Sequence, residues 1–200
     1  YILTGSSTPN REGINHSGAG RFGKIKLRTM SLYESGDSSG DISLKNICDG
    51  QEISQMTGEV DLKNLAYLAI RGGFPGNIGL SSEEAVEKTK SYVSTLIDDD
   101  IERLDGITRD KHKIILLLKS LARNESTTVS NATLKKDIKD VDTSDIDIDT
   151  VASYLNALNG LYLLDNDEPF STNIRSSIRV KQSEKRHFAD PSITCSILNL

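Results

Sequence analysis

Residues 110–122 read Asp110-Lys111-His112-Lys113-Ile114-Ile115-Leu116-Leu117-Leu118-Lys119-Ser120-Leu121-Ala122. Ile114, Ile115, Leu117, Leu118 and Leu121 recur at helical spacing, so the stretch predicts a helix with one inward face. Working upstream, Ser81 with Glu84 is a capping-box pattern and starts a long helix. Its buried stripe would be Ala85, Val86, Tyr92, Val93, Leu96, Ile97, Ile101 and Leu104, ended by Gly106. Asp61 to Ile70 carries apolar residues at the same spacing. Arg71-Gly72-Gly73-Phe74-Pro75-Gly76 stops that helix, because Gly and Pro together cannot continue it. Working downstream, shorter helices are expected near 130–138 and 149–159, joined by an Asp-rich linker. Asp190-Pro191-Ser192 is an N-cap followed by Pro at the first helical position, so a last helix begins there.

Strands are expected between and before these helices. Leu161-Tyr162-Leu163-Leu164 reads as a strand, residues 165–169 as a turn, and 178–180 and 186–189 as further strands. Helix, helix, helix, strand, turn, strand from about 110 to 182 is the order of a winged helix-turn-helix. At the other end, Tyr1-Ile2-Leu3-Thr4-Gly5-Ser6-Ser7 is a short apolar run ending in small polar residues. It reads as a strand buried on both faces of a parallel sheet. Phe22 to Met30 alternates and reads as another strand. A buried strand needs neighbours, so the chain reads as a piece of a longer protein.

Composition bounds the function. The 200 residues are 36% hydrophobic and 26% charged, which describes a folded chain and not a disordered one. Apolar runs such as Ile114 to Leu118 fall far short of the roughly 20 residues that a membrane span needs. No membrane partner is expected. Cys48 and Cys195 stand far apart without a CxxC, so neither a disulfide framework nor a zinc site is written, and a reduced cytoplasmic location is the default. The net charge of −5 conceals unlike segments: +4 over residues 1–30, −12 over 31–170 and +3 over 171–200. Basic ends around an acidic middle mark either anion-binding surfaces or solvated faces.

Several motifs fail on their context. Gly18-Ala19-Gly20-Arg21-Phe22-Gly23 matches G-x-G-x-x-G, but a dinucleotide site needs a strand before it and a helix after it. A kinase reading of the same glycines lacks V-A-I-K, H-R-D and D-F-G downstream. Asp145-Ile146-Asp147-Ile148-Asp149 resembles the start of a calcium loop, yet Thr150 stands where the sharp turn needs Gly, and Asn156 where a bidentate Glu is required. His16, His112 and His187 are spread singly. No H-E-x-x-H supports hydrolysis of that type. Asp98-Asp99-Asp100 falls within a helical pattern, where one of the three could face an internal partner but two exposed carboxylates are the simpler reading. What remains is Ser6 and Ser7 at a strand end, followed by Arg21 before the next strand. A hydroxyl there could hold a γ-phosphate or an attacking water, and an arginine in the same crevice could stabilise phosphoryl charge. An ordinary surface salt bridge accounts for Arg21 equally well.

Three stretches together, Tyr1 to Ser7, His16 to Arg21 and Met30 to Ser35, resemble the end of an AAA-type P-loop ATPase core. Arg71 to Pro75, Leu121 to Asn124, Tyr154 to Leu158 and Lys185 to Pro191 resemble the uncharacterised domain that follows that core in many bacterial ATPases. The resemblance implies an α/β fragment, the last strands of the ATPase core, over residues 1–35. A helical accessory region over 36–108, a winged helix-turn-helix over 109–182 and the start of a nuclease-like fold over 183–200 would follow. It implies Ser6 or Ser7 as a sensor residue and Arg21 as an arginine finger or sensor arginine. ATP and Mg would bind the intact parent and not this chain, whose Walker motifs would lie upstream. Thr29 and Glu184 depart from that pattern, standing where the family usually has Pro.

The resemblance also suggests double-stranded DNA as a partner, with Lys135, Lys136, Ser153, Asn156, Arg175 and Arg179 as its contacts. The residues themselves pull the other way. The candidate recognition helix, 149–159, holds no Lys or Arg, whereas phosphate contacts supply most non-specific DNA affinity. A non-enzymatic module that docks a protein partner or another copy of itself is the competing expectation.

Overall fold

The computed structural model describes residues 2, 4–5, 20–21, 23–54, 60–142, 146–173, 175, 177 and 181–200. Helix α1 spans Leu44–Cys48 and α2 spans Leu62–Arg71, where the Asp61 side chain accepts from the Asn64 N–H. A short 3-10 turn, Pro75–Asn77, leads to α3, Ser82–Thr95. The capping box is formed: Ser81 accepts from the Glu84 N–H, and the Glu84 carboxylate accepts from the Ser81 N–H. The long helix then relaxes into a π-helical turn at Leu96–Asp100 and ends in α4, Ile101–Arg103. Helices α5 (Lys111–Arg123), α6 (Asn131–Lys139), α7 (Ile148–Gly160) and α8 (Pro191–Leu198) complete the order.

Helix α8 packs against α2, α3 and α5, while α5 and α7 both pack on α6. The core runs continuously through these contacts. Ile114, Leu117 and Leu134 are fully buried beside Leu118, Val151, Leu158 and Ile193. The inward face expected for α5 is there except at Ile115, which lies at the edge of that face and is 41% exposed.

The expectation of an α/β fragment is corrected. Among the described residues there is no strand and no sheet, and the architecture is helical. Ile2, Thr4 and Gly5 from the expected first strand carry no strand pairing, and Ile2 is 93% exposed. Tyr1, Leu3, Ser6 and Ser7 lie outside the described residues. Residues 23–30 run without strand pairing. Their alternation turns Ile25 and Leu27 outward at 90% and 86% exposure, because no neighbouring strand stands there to bury them.

The expected winged helix-turn-helix, as helices plus strands, is corrected in the same way. Residues 178–180 lie outside the described residues, and the segments 163–167 and 185–189 meet only through two isolated antiparallel bridges, Leu164 to Phe188 and Asp167 to Lys185. The Asn166 side chain explains part of the interruption. Its Oδ1 accepts from the His187 N–H at 3.0 Å, taking a donor that a regular ladder would give to a backbone carbonyl.

Candidate functional site

Two polar networks and one helix face stand out from the apolar packing. The first network is built where α2 ends. Gly72 takes φ 65° and ψ −166°, a conformation that side-chain-bearing residues almost never hold. This turn brings the Gly73 N–H to within 2.8 Å of Asp190 Oδ2. Asp190 is 2% exposed, and it also caps α8 by accepting from the Ser192 N–H and hydroxyl. The Gly73 carbonyl accepts from the Met30 N–H at 2.7 Å. Arg71, 4% exposed, donates to Asp37 at 2.8 Å. That hydrogen bond, together with one from Ser35, holds the Asp37 carboxyl below its ordinary range. The residues that end one helix therefore also anchor a distant segment and start another helix.

The second network ties the end of α5 to the bridged segments. His187 Nδ1 lies 2.9 Å from Glu125 Oε1, and because a carboxylate only accepts, Nδ1 carries the hydrogen. Its Nε2 lies 3.4 Å from Asp167 Oδ2. The second Glu125 oxygen accepts from the Thr194 hydroxyl and the Phe188 N–H. Beside it, Arg186 pairs with Glu184 and donates to Asn131 on α6. Also on α6, Asp137 accepts from Ser120 and Arg123 of α5. Burial works to raise that carboxyl, but these hydrogen bonds hold it below the ordinary range.

The residues expected to act are not gathered at one place. Arg21 sits exposed in a turn, and Ser6 and Ser7 lie outside the described residues, so no sensor pair is assembled. Lys135 is half-buried and Lys136 exposed on α6, Ser153 is half-buried and Asn156 exposed on α7, and Arg175 is exposed. Arg179 lies outside the described residues. Of the basic stretch 175–187, Arg186 and His187 are drawn into the polar contacts above. Among the described residues no group of three or more His, Cys, Asp or Glu side chains is placed to hold a metal ion.

Sequence reading missed the partners Asp37, Glu125 and Asn131. Each lies on a segment remote from its arginine or histidine, and the only local signal was the unusual Arg71-Gly72-Gly73 run.

The third feature is the outer face of α7. It presents Ile148 at 46% exposure with Asp149, Asn156 and Asn159 exposed beside it, and Asp147 exposed at its start. Val141, 68% exposed, precedes it in the linker.

The helical unit coincides with a family match. A family model described as a domain of unknown function (DUF8612) matches residues 62–200, starting at the first residue of α2. The chain belongs to the DUF8612 family. No curated protein and no solved structure matches the chain. Both polar networks have their glycine, histidine and Asp190 members within the DUF8612 match, whereas Met30, Ser35 and Asp37 contact it from outside. No helix among the described residues is long and apolar enough to cross a membrane.

Proposed function

We propose that the helical unit is a non-enzymatic docking module whose α7 face takes a basic protein surface. The observation that carries this reading is the face itself. Helix α7 follows two helices, buries one side in the core and on its exposed side offers Ile148 and asparagines among aspartates, with no lysine or arginine anywhere along it. Part of the acidity has a local purpose, since Asp147 and Asp149 complement the positive end of the helix dipole. They also repel phosphate, and they attract lysine-rich surfaces. The resemblance of the chain's motifs to the region beyond an ATPase core supports an accessory role beside a catalytic domain.

The test uses a lysine- and leucine-rich amphipathic peptide and a labelled DNA duplex, each titrated into the intact chain at two salt concentrations. The peptide is expected to perturb the amide signals of Ile148, Asn156 and Val141. The paired substitution Asp147→Lys and Asp149→Lys should abolish that perturbation, and the duplex anisotropy should stay flat. Steeply salt-dependent duplex binding, with α7 signals untouched by the peptide, would instead establish phosphate recognition and overturn the docking reading.

A further inference from the structure

Between residues 26–29, the turn after α7 and the corner joining α2 to α3 lies an open cleft of about 260 Å³. Its walls are apolar. The Phe74 and Tyr92 rings stand 5.1 Å apart and tilted by 57°, and Leu161 and Ile193, both buried, line it beside them. A cavity of roughly 150 Å³ is enough to hold benzene, so this cleft has room for two fused rings. Tyr162 also lines it, at a positive φ of 56° that non-glycine residues rarely adopt.

The rim carries charge of one sign in excess. Lys26 Nζ lies 5.6 Å from the centre of the Tyr162 ring and 3.0 Å from Asp165. Arg28 meets the same carboxylate through Nε at 2.8 Å and Nη2 at 3.2 Å. One carboxylate against two cations leaves a surplus positive charge. The Arg28 side chain is 69% exposed, and its Nη1 holds two donors beyond those engaged with Asp165. Aromatic walls under a fork of unspent donors suit a flat ring that carries a negative group.

We propose that this cleft binds a small planar aromatic anion, with its ring against Phe74 and Tyr162 and its anionic group on Arg28. The site is separate from the α7 docking face and does not rest on that reading.

The experiment titrates 2-naphthoate into the intact chain by calorimetry and saturation-transfer NMR, with 2-naphthamide as the uncharged isostere. Naphthoate is expected to bind with a dissociation constant of about 1 mM or below, and naphthamide about tenfold more weakly. Arg28→Gln should reduce naphthoate to the naphthamide level and leave naphthamide unchanged. Because Arg28 is exposed, the variant keeps the fold, which far-UV circular dichroism checks. Tyr162→Asn, which tolerates the left-handed backbone, should weaken both probes. No binding of naphthoate to the folded wild type would overturn the proposal. So would equal affinity for the two probes, or an Arg28→Gln variant that binds naphthoate as the wild type does.

Discussion

Substituting Gly72 by alanine tests whether the Arg71-Gly72-Gly73 corner organises the fold. An ideal β-carbon at Gly72 would stand 1.9 Å from Asp190 Oδ1 and 2.6 Å from Ser192 Oγ. Neither neighbour has room to yield, since Asp190 and Ser192 are 2% and 1% exposed. The backbone conformation alone costs a non-glycine residue about 1–3 kcal/mol. Moving the carboxylate also weakens its hydrogen bonds to the Gly73 N–H and to the Ser192 N–H and hydroxyl. A hydrogen bond to a charged group contributes about 1.5–3 kcal/mol, so losing one of them brings the total to about 2.5–6 kcal/mol. Gly36 supplies the control: its φ is +80°, and an added β-carbon there meets nothing within 4 Å. Gly36→Ala should cost only the backbone contribution, about 1 kcal/mol. Urea unfolding followed by far-UV circular dichroism measures both variants against the wild type. In thermal terms Gly72→Ala should lower Tm by about 5–24 °C for a chain of this size. If the two alanine variants fall within 1 kcal/mol of each other, by the roughly 0.5 kcal/mol precision of such comparisons, the corner is not a structural junction.

Other perturbations follow from the same packing and electrostatics. Leu117, fully buried on α5, should cost about 2–5 kcal/mol on replacement by alanine in the same urea assay, whereas Ile115→Ala, on the exposed face, should cost much less. Asp37 has its pKa lowered chiefly by the hydrogen bond from Arg71, so its contribution to stability is present above about pH 4 and is lost as pH falls through the lowered folded value. Asp37→Asn should therefore be less stable than the wild type at pH 7, with the gap narrowing as pH falls below about 4. A gap that stays constant would show that the Arg71–Asp37 pair adds nothing.

The helices were legible because their signals are local. Ser81 and Glu84 are three residues apart and close their capping box within one turn. Asp190 and Pro191 start α8 by the same kind of short-range logic, and the apolar spacing of Ile114, Leu117, Leu118 and Leu121 marks the buried side of α5. The spacing was less decisive at Ile115, which sits at the edge of the stripe, so that only the packing of α6 and α8 on α5 determined which side was covered.

Strands were misread because alternation says that a segment can be extended, not that a partner exists. Residues 23–30 alternate as a half-buried strand would, yet Ile25 and Leu27 face outward while Lys26 and Arg28 reach Asp165. In the 163–167 and 185–189 segments a single side chain, Asn166, takes over a backbone donor and breaks the ladder. The candidate sites depended still more on distance along the chain. The acidic, lysine-free character of α7 is plain in the sequence, but its exposure is a property of the packed structure. Arg71 finds Asp37 across 34 residues, and Gly73 finds Asp190 across 117. Sequence by itself determined where α2, α3 and α5 to α8 begin, because caps and periodicity act within a turn or two, whereas α1, which has no side-chain cap, was not read from it. Tertiary structure alone decided which polar groups are buried together and which aromatic rings share a cleft, because those contacts form between segments whose separation leaves no periodic or local trace.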